Sequence, residues 1–142
     1  MADDQWISFK VESETYVHSV DNIKEIIPYK LPVPVPGSDC CTEGILNVRG
    51  NIVTILSGHI LFGRNKPGTT EERRMIILEM GTDIIGVSVD SVVDIISLQL
   101  EDVQWIDRGG LIKGTLQLDG QLYILTDFSN YSYISDVNKW IL

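Results

Sequence analysis

The sequence has little of what catalysis or metal binding usually requires. Its 142 residues include only two cysteines, Cys40 and Cys41, and only two histidines, His18 and His59. Metal sites typically draw their ligands from separated pairs on several segments. A glycine-rich phosphate loop and the G-x-S-x-G turn of serine hydrolases are also missing. We therefore expect a protein that is not an enzyme and that holds no metal ion or other cofactor.

The few residues with catalytic potential have simpler expected roles. Ser57 and His59 leave a small hydrolase open as an alternative, although a serine near a histidine still needs a third group to orient the base. His18 alternates with apolar residues, and we expect a core histidine whose ring nitrogens bond to the backbone. The adjacent cysteines are expected to be reduced, half-buried side chains in a connecting segment.

Long hydrophobic runs and basic clusters are missing as well. No stretch of about 18 apolar residues occurs, so we expect no direct membrane insertion. Acidic residues at positions 3 and 4 stand where a secretory signal carries basic ones, which predicts a cytoplasmic protein. The net charge is −9, and Arg73-Arg74 is the only pair of adjacent basic residues. A nucleic-acid partner is therefore not expected, because binding a polyanion needs a basic surface.

Short alternating runs closed by turn residues fill the chain, and this pattern predicts an all-β fold. Hairpins are expected from residues 6–11 with 16–20, within 44–56, from 74–79 with 84–89, and from 116–118 with 121–123. The last pair flanks Asp119-Gly120, which suits a two-residue type I′ turn.

Two similar segments, 19–27 and 88–96, each follow one of these hairpins. In the first, Asp21 is predicted to cap one amphipathic helical turn that ends at Pro28, and the second is predicted to do the same. The repeat indicates two related five-strand units. Near the end of the chain, Thr126-Asp127 is predicted to cap a helix that turns Phe128, Tyr131 and Ile134 inward.

Prolines at every second position of residues 31–37 predict an edge strand or an extended connector that displays its valines. The same spacing also suits a ligand for an aromatic groove. A second hypothesis of function is a stand-alone barrel that binds proline-rich or extended peptides. Trp6, Trp105 and Tyr123 would supply its groove.

Four segments in order carry a family resemblance. Residues 44–53, which read GILNVRGNIV, resemble the hallmark of CheW-like domains, the adaptor and kinase-regulatory modules of bacterial chemotaxis. Residues 16–27, 85–92 and 113–127 are similar to three further conserved segments of that family. The resemblance covers roughly residues 6–131. Departures occur at Ser57-Gly58, where the family usually has an acid or amide followed by leucine, and at His18, where an aliphatic residue is usual.

The resemblance implies a fold and an organisation. The fold would be two packed five-stranded SH3-like β-barrels with short helical turns and a C-terminal helix. Residues 6–131 would form a single domain of two intertwined barrel subdomains, and residues 132–142 a helical tail. The role would be that of a cytoplasmic adaptor recruited to membrane-associated receptor arrays. An accessory scaffold in a pathway other than chemotaxis is a further alternative.

The resemblance also implies two partners and the residues that bind them. The cytoplasmic tip of a transmembrane chemoreceptor would bind an apolar groove between the barrels, lined by Ile7, Val20, Ile23, Ile26, Val92 and Ile95. From their apolar character alone, the same residues are equally suited to the core between the barrels. The regulatory domain of the histidine kinase CheA would bind Val33, Val35, Arg49 and Gly50. An ion pair between Glu25 and Arg49 is expected, although Arg49 by itself also fits a simple surface charge.

Overall fold

The computed structural model describes residues 4–64, 71–106 and 110–130, and eleven strands lie in these ranges. The strands are β1 Asp4–Val11, β2 Glu14–Ser19, β3 Ile23–Pro28, β4 Thr42–Val48, β5 Asn51–Ser57, β6 Arg74–Met80, β7 Asp83–Val89, β8 Ser91–Leu98, β9 Gln104–Trp105, β10 Ile112–Leu118 and β11 Gln121–Thr126. Helix α1 spans Gly58–Leu61, and 3₁₀ turns span Val20–Asn22, Leu100–Asp102 and Phe128–Asn130. Among the described residues, no helix is long and apolar enough to cross a membrane.

The strands form two sheets, which confirms the all-β prediction. The six-stranded sheet has the order β8-β1-β2-β11-β10-β9, and the five-stranded sheet has the order β3-β6-β7-β5-β4. Most neighbours are antiparallel, but β11 pairs with β2 and β5 pairs with β7 in parallel. Residues 31–37 form the predicted extended connector, joined to β4 through an isolated bridge between Val33 and Ile45.

The four predicted hairpins are confirmed as β1–β2, β4–β5, β6–β7 and β10–β11. The conformations of two of their turns depend on residues that tolerate a positive φ. Asp119 and Gly120 have φ of 52° and 80°, as a type I′ turn requires at both positions. Arg49 and Gly50 adopt a similar pair of angles, 51° and 88°, between β4 and β5. The family-like Asn-x-Arg-Gly segment is therefore a tight hairpin turn.

The two predicted helical turns at 21–28 and 91–96 are wrong. Residues 23–28 and 91–96 are strands instead: β3 pairs with β6, and β8 pairs with β1. Their isoleucines and valines are β-branched and fit a pleated surface better than a helix. Only a short 3₁₀ turn precedes β3, and Ser19 rather than Asp21 caps it, because the Asp21 backbone N–H donates to Ser19 Oγ at 3.2 Å.

A β-bulge in each of these strands explains why their sequences resemble helical turns. In β8 the register shifts opposite Ser8 and Phe9, so that Ile95 lies opposite Ile7 and Val92 lies opposite Phe9. Residues 92 and 95 therefore share a face although they are three apart. A similar shift in β3 sets residues 23 and 26 on one face. A spacing of three normally indicates a helix, and here it results from one extra residue in a strand.

The two bulged strands are exchanged between the sheets. Strand β3 follows the β1–β2 hairpin of the six-stranded sheet but joins the five-stranded sheet. Strand β8 follows the β6–β7 hairpin of the five-stranded sheet but joins the six-stranded one. The similarity between residues 19–27 and 88–96 corresponds to this reciprocal exchange.

Three apolar clusters make up the core formed by the described residues. A central cluster joins the two sheets, with Phe9 and Tyr16 from one sheet and Leu56, Ile76 and Val87 from the other among its members. Each sheet also has a cluster of its own. Phe128, in the last 3₁₀ turn, is fully buried in the central cluster, as predicted. Tyr131, Ile134 and the predicted tail at 132–142 lie outside the described residues.

Glycine is required at position 44, where the connector crosses β4. Gly44 has φ of 151°, and a Cβ there would lie 2.2 Å from the Val33 carbonyl oxygen. That oxygen accepts the Ile45 backbone N–H at 2.9 Å. We expect Gly44→Ala to lower the free energy of unfolding by about 1–3 kcal/mol, measured by urea denaturation. Gly37→Ala is the control, since Gly37 also has a positive φ, 82°, but its Cβ meets nothing within 4 Å, so only backbone strain of about 1 kcal/mol is expected there. Equal losses in both variants would contradict the steric explanation.

Candidate functional site

The predicted receptor-groove residues lie along one boundary of the central cluster, which we call the seam. Ile7 belongs to the buried cluster with 6% of its surface exposed. Val20, Ile23, Ile26 and Val92 pack against it and are partly buried. Ile95 lies opposite Ile7 in the β1–β8 ladder and is 53% exposed. The seam thus has a buried floor and an accessible apolar rim.

The exchanged strands place the seam residues. Ile23 and Ile26 lie opposite Leu78 and Ile76 on β6, two members of the central cluster. Val92 reaches the same cluster from β8. Each sheet therefore contributes one bulged edge strand to the seam. Val93, the extra residue in the β8 bulge, is 57% exposed and was missed by sequence reasoning. Val93 is exposed because of the bulge, and no residue pattern in the sequence indicates a bulge at this position.

The predicted kinase-binding residues lie at the β4–β5 turn and on the connector, and we call this surface the hairpin face. Arg49 in the turn has a 75% exposed side chain, and its Nε lies 3.0 Å from both carboxylate oxygens of Glu25. Glu25 lies on β3, and its own side chain is only 18% exposed. Gly50 is exposed beside Arg49. The ion pair therefore fastens the hairpin turn to β3.

Apolar side chains extend the hairpin face. Val33 is 63% exposed and Val35 is partly buried. The register pairs Val33 with Ile45 and Asn47 with Ile52, which places these four residues on one side of the sheet. Ile52 is 56% exposed and was missed. Side chains alternate between the two sides of a strand, and Val53 and Ile55 point to the buried side. This alternation could have placed Ile52 on the exposed side.

Leu31 is a second residue of this region that was missed. It precedes the Val33 bridge on the connector and is 83% exposed. The proline spacing drew attention to the valines, whereas the most exposed apolar side chain of the connector is the leucine at its start. Leu31, Val33 and Ile52 thus leave a large apolar area in contact with solvent.

The candidate hydrolase residues have structural contacts. Ser57 caps α1, since the Ile60 backbone N–H donates to Ser57 Oγ at 3.3 Å. His59 is buried, and its Nε2 lies 2.8 Å from Asp90 Oδ1. Ser57 is therefore the N-cap of α1. Within the part of the chain that the structure describes, no three His, Cys, Asp or Glu side chains are placed to hold a metal ion.

The aromatic residues of the peptide-binding hypothesis are only partly brought together. Trp6 and Trp105 line one pocket of about 480 Å³. Trp105 is 56% exposed, but Trp6 is only 9% exposed and belongs to the cluster of the six-stranded sheet. Tyr123 packs against that same cluster and is partly buried. One accessible tryptophan does not make the aromatic groove that this hypothesis needs.

His18 has the backbone contacts predicted for a core histidine. The Phe128 N–H donates to Nε2 at 3.2 Å, and Nδ1 lies 2.9 Å from the Ser19 carbonyl oxygen. Because Nε2 accepts, the proton of the neutral ring is on Nδ1. The ring is 1% exposed and stacks on Phe128. Burial lowers the pKa of His18 below its usual 6.5, against the smaller opposing effects of the Ser19 hydrogen bond and the Asp127 charge.

This lowered pKa predicts a pH dependence of stability. The unfolded chain binds a proton at His18 near pH 6.5, whereas the folded chain binds it only at a lower pH. The contribution of His18 is therefore complete above about pH 6.5 and is lost as the pH falls below that value, by at most about 1.4 kcal/mol per pH unit. We expect the stability difference between wild type and His18→Gln to shrink from pH 7.5 to pH 5. A pH-independent difference in urea unfolding would contradict this expectation.

Comparison with known proteins gives a consistent result. The sequence model described as "CheW-like domain" matches residues 5–132. The chemotaxis protein CheW of Thermotoga maritima is 30% identical over 128 residues, which cover 85% of this chain and 82% of that protein. The corresponding protein of Klebsiella aerogenes is 26% identical over 116 residues, covering 82% and 70%. The crystal structure of the scaffolding protein CheW from Thermoanaerobacter tengcongensis superposes with a TM-score of 0.81 at 21% identity, covering 90% and 86%, and shares the fold.

Proposed function

Because this chain belongs to the CheW-like domain family, we propose that it is an adaptor that couples transmembrane chemoreceptors to the histidine kinase CheA in chemotaxis arrays. The observation that carries the proposal is the presence of two separate accessible apolar surfaces, the seam and the hairpin face, in a chain with this family's sequence pattern. The adaptor acts in the cytoplasm and is recruited to the arrays. Residues 6–131 form its single domain of two intertwined subdomains.

The seam binds the cytoplasmic tip of the receptor. An amphipathic helix presents an apolar stripe, and a groove with a buried floor and an open rim accepts such a stripe. Ile7 supplies the floor, and Ile95 supplies the most accessible part of the rim. Burying these side chains against a helix removes apolar area from water, which stabilises the complex.

The hairpin face binds the regulatory domain of the kinase. Val33 and Val35 supply apolar contact, and Arg49 with Gly50 presents the exposed turn. An interface with an apolar centre beside a charged side chain is the usual composition of such contacts, and arginine is enriched in them.

Strand β3 links the two surfaces. Ile23 and Ile26 face the seam, while Glu25 of the same strand holds Arg49 in the hairpin turn. A receptor helix that shifts β3 by a small amount therefore moves the Glu25 carboxylate and, with it, the side chain of Arg49. This gives the adaptor a physical route from receptor state to kinase contact.

Calorimetric titration tests the proposal. The folded protein is titrated with the regulatory domain of the CheA encoded by the same organism and, separately, with a receptor cytoplasmic fragment. We expect binding to both, and binding of both at once when the second partner is added to the first complex. Failure to bind either partner overturns the proposal, and competition between them overturns the assignment of separate surfaces.

Variants that reverse the charges of Glu25 and Arg49 distinguish a role of Arg49 in kinase binding from a role in folding. We expect Arg49→Glu to weaken kinase binding about tenfold or more, while the free energy of unfolding changes by no more than about 1 kcal/mol, because the guanidinium is mostly exposed. The double variant Glu25→Arg/Arg49→Glu restores the attraction between positions 25 and 49 with reversed signs, and should regain stability but not kinase binding. Loss of the melting transition in Arg49→Glu would show that the residue is structural instead.

A further inference from the structure

A cleft separates the two edge strands of the five-stranded sheet. Strands β3 and β4 lie at opposite ends of the strand order, so within the described residues no ladder of hydrogen bonds joins them. A pocket of about 330 Å³ opens between residues 25–28 of β3 and residues 46–48 of β4, and we call it the edge cleft. Its volume is at the lower end of the range for binding pockets, which suits a few side chains of a partner rather than a whole helix.

The floor of the edge cleft is apolar. Ile27 and Leu46 line it, are partly buried, and pack against the apolar cluster of the five-stranded sheet. Val48, which is 8% exposed, belongs to that cluster and lines the cleft as well. An apolar side chain that enters the cleft loses contact with water, which is favourable, whereas a charged group on this floor would be desolvated at a cost. The floor therefore suits an apolar side chain.

The rim of the edge cleft has one more positive than negative charge. Glu25, Lys30 and Arg49 are the charged residues that line it. Glu25 is paired with Arg49, and within the part of the chain that the structure describes, no carboxylate forms an ion pair with Lys30. The cleft thus carries an unbalanced positive charge, although the net charge of the chain is −9.

The donors at the rim are accessible to a partner. Lys30 is exposed, and the side chain of Arg49 is 75% exposed. Both hydrogen bonds from Arg49 to Glu25 come from Nε, at 3.0 Å, so neither Nη1 nor Nη2 is used in that pair. The Glu25 side chain is only 18% exposed. A partner that approaches the cleft therefore meets the two cations before it meets the carboxylate.

We propose that the edge cleft receives an acidic side chain, next to an apolar one, from the regulatory domain of the kinase. This inference rests on the proposed function and names the chemistry by which that partner is recognised. The apolar side chain is buried against Ile27 and Leu46, and the neighbouring carboxylate accepts hydrogen bonds from Lys30 and Arg49. Such a charge pair at the rim of an interface contributes mainly to specificity and to the rate of association.

Two lysine variants test the charge. Lys30→Glu reverses the unbalanced charge, and Lys24→Glu is the matched control, because Lys24 lies on β3, is not among the residues that line the cleft, and is already paired with Glu79 at 3.9 Å. In calorimetric titration at low salt we expect Lys30→Glu to weaken binding of the kinase regulatory domain about tenfold and Lys24→Glu to weaken it less than about twofold. At about 0.5 M NaCl the difference between the variants should shrink, since salt screens exposed charges. Circular dichroism establishes that both variants are folded.

Cross-linking of the unmodified chain locates the acid. A carbodiimide activates a carboxylate, which then forms an amide with a lysine amine in contact with it, and the carbodiimide leaves as a urea. We expect mass spectrometry of the cross-linked complex to find Lys30 joined to an aspartate or glutamate of the kinase domain. Equal affinities of the two folded lysine variants, or a cross-linked complex in which Lys30 is joined to no kinase carboxylate, overturns this inference and leaves the proposed function standing. Absence of kinase binding by the unmodified chain overturns the proposed kinase contact and this inference with it.

Discussion

Replacing Ile95 with aspartate is expected to abolish binding of the receptor fragment without unfolding the protein. Ile95 is 53% exposed on an edge strand, so its side chain contributes little to the packed core. In the proposed complex the same side chain is buried against the receptor helix. An aspartate there forfeits about 2 kcal/mol of apolar burial and adds the cost of desolvating a charge, which together correspond to a loss of roughly a hundredfold or more in affinity.

Ile52→Asp is the matched control for Ile95→Asp. Ile52 is an isoleucine of similar exposure, 56%, on the hairpin face. We expect Ile52→Asp to weaken kinase binding and to leave receptor binding unchanged, the reverse of Ile95→Asp. Titration of each variant with each partner gives four affinities, and circular dichroism confirms the fold. Loss of both partners in one folded variant would show that the two surfaces are not separate.

Replacing Gly58 with leucine is expected to have the largest effect on stability. A Cβ at this position would lie 2.3 Å from the Ser88 carbonyl oxygen and 3.5 Å from Val87 Cγ1. The obstacle is backbone of β7, which cannot move aside as a flexible side chain can. We expect Gly58→Leu to cost about 3–5 kcal/mol, enough to unfold a marginally stable domain, and Gly58→Ala to cost less but in the same direction.

Thermal and urea unfolding measure this effect, with Gly63→Ala as the control beyond the other end of α1. Gly63 has φ of 70° but nothing within 4 Å of an added Cβ, so only backbone strain of about 1 kcal/mol is expected there. This comparison bears on the family resemblance, which implies leucine at the position of Gly58. A stable Gly58→Leu variant would contradict the close approach of α1 to β7.

The hairpins could be predicted because each depends on residues next to one another in sequence. Asp119 and Gly120 specify their turn by the φ angles they tolerate, whatever surrounds them. The partners of β3 and β8 could not be predicted, because other strands separate each of them from its partner in sequence. Strand β3 pairs with β6, and β8 pairs with β1. The bulges then gave both segments the residue spacing of a helix.

The candidate site shows the same division between local and distant information. The Glu25–Arg49 pair was expected only from the family resemblance, because 24 residues separate its members and Arg49 alone fits any exposed charge. Ile52 was missed because strand phase decides which side of a sheet a side chain faces, and phase depends on the register with β4.

The exchange of β3 and β8 has a consequence for how the molecule folds. A chain divided between residues 64 and 71 leaves β1–β5 on one piece and β6–β11 on the other, so each sheet needs strands from both pieces. Each fragment keeps its own two hairpins, but neither can complete a sheet alone, because four strand pairings join the two pieces. We therefore expect all-or-none folding, and the pairing of strands distant in sequence is a topology associated with slow folding. We expect a destabilising substitution in one half to destabilise the whole domain. A fragment that contains only one half is then not expected to bind either proposed partner.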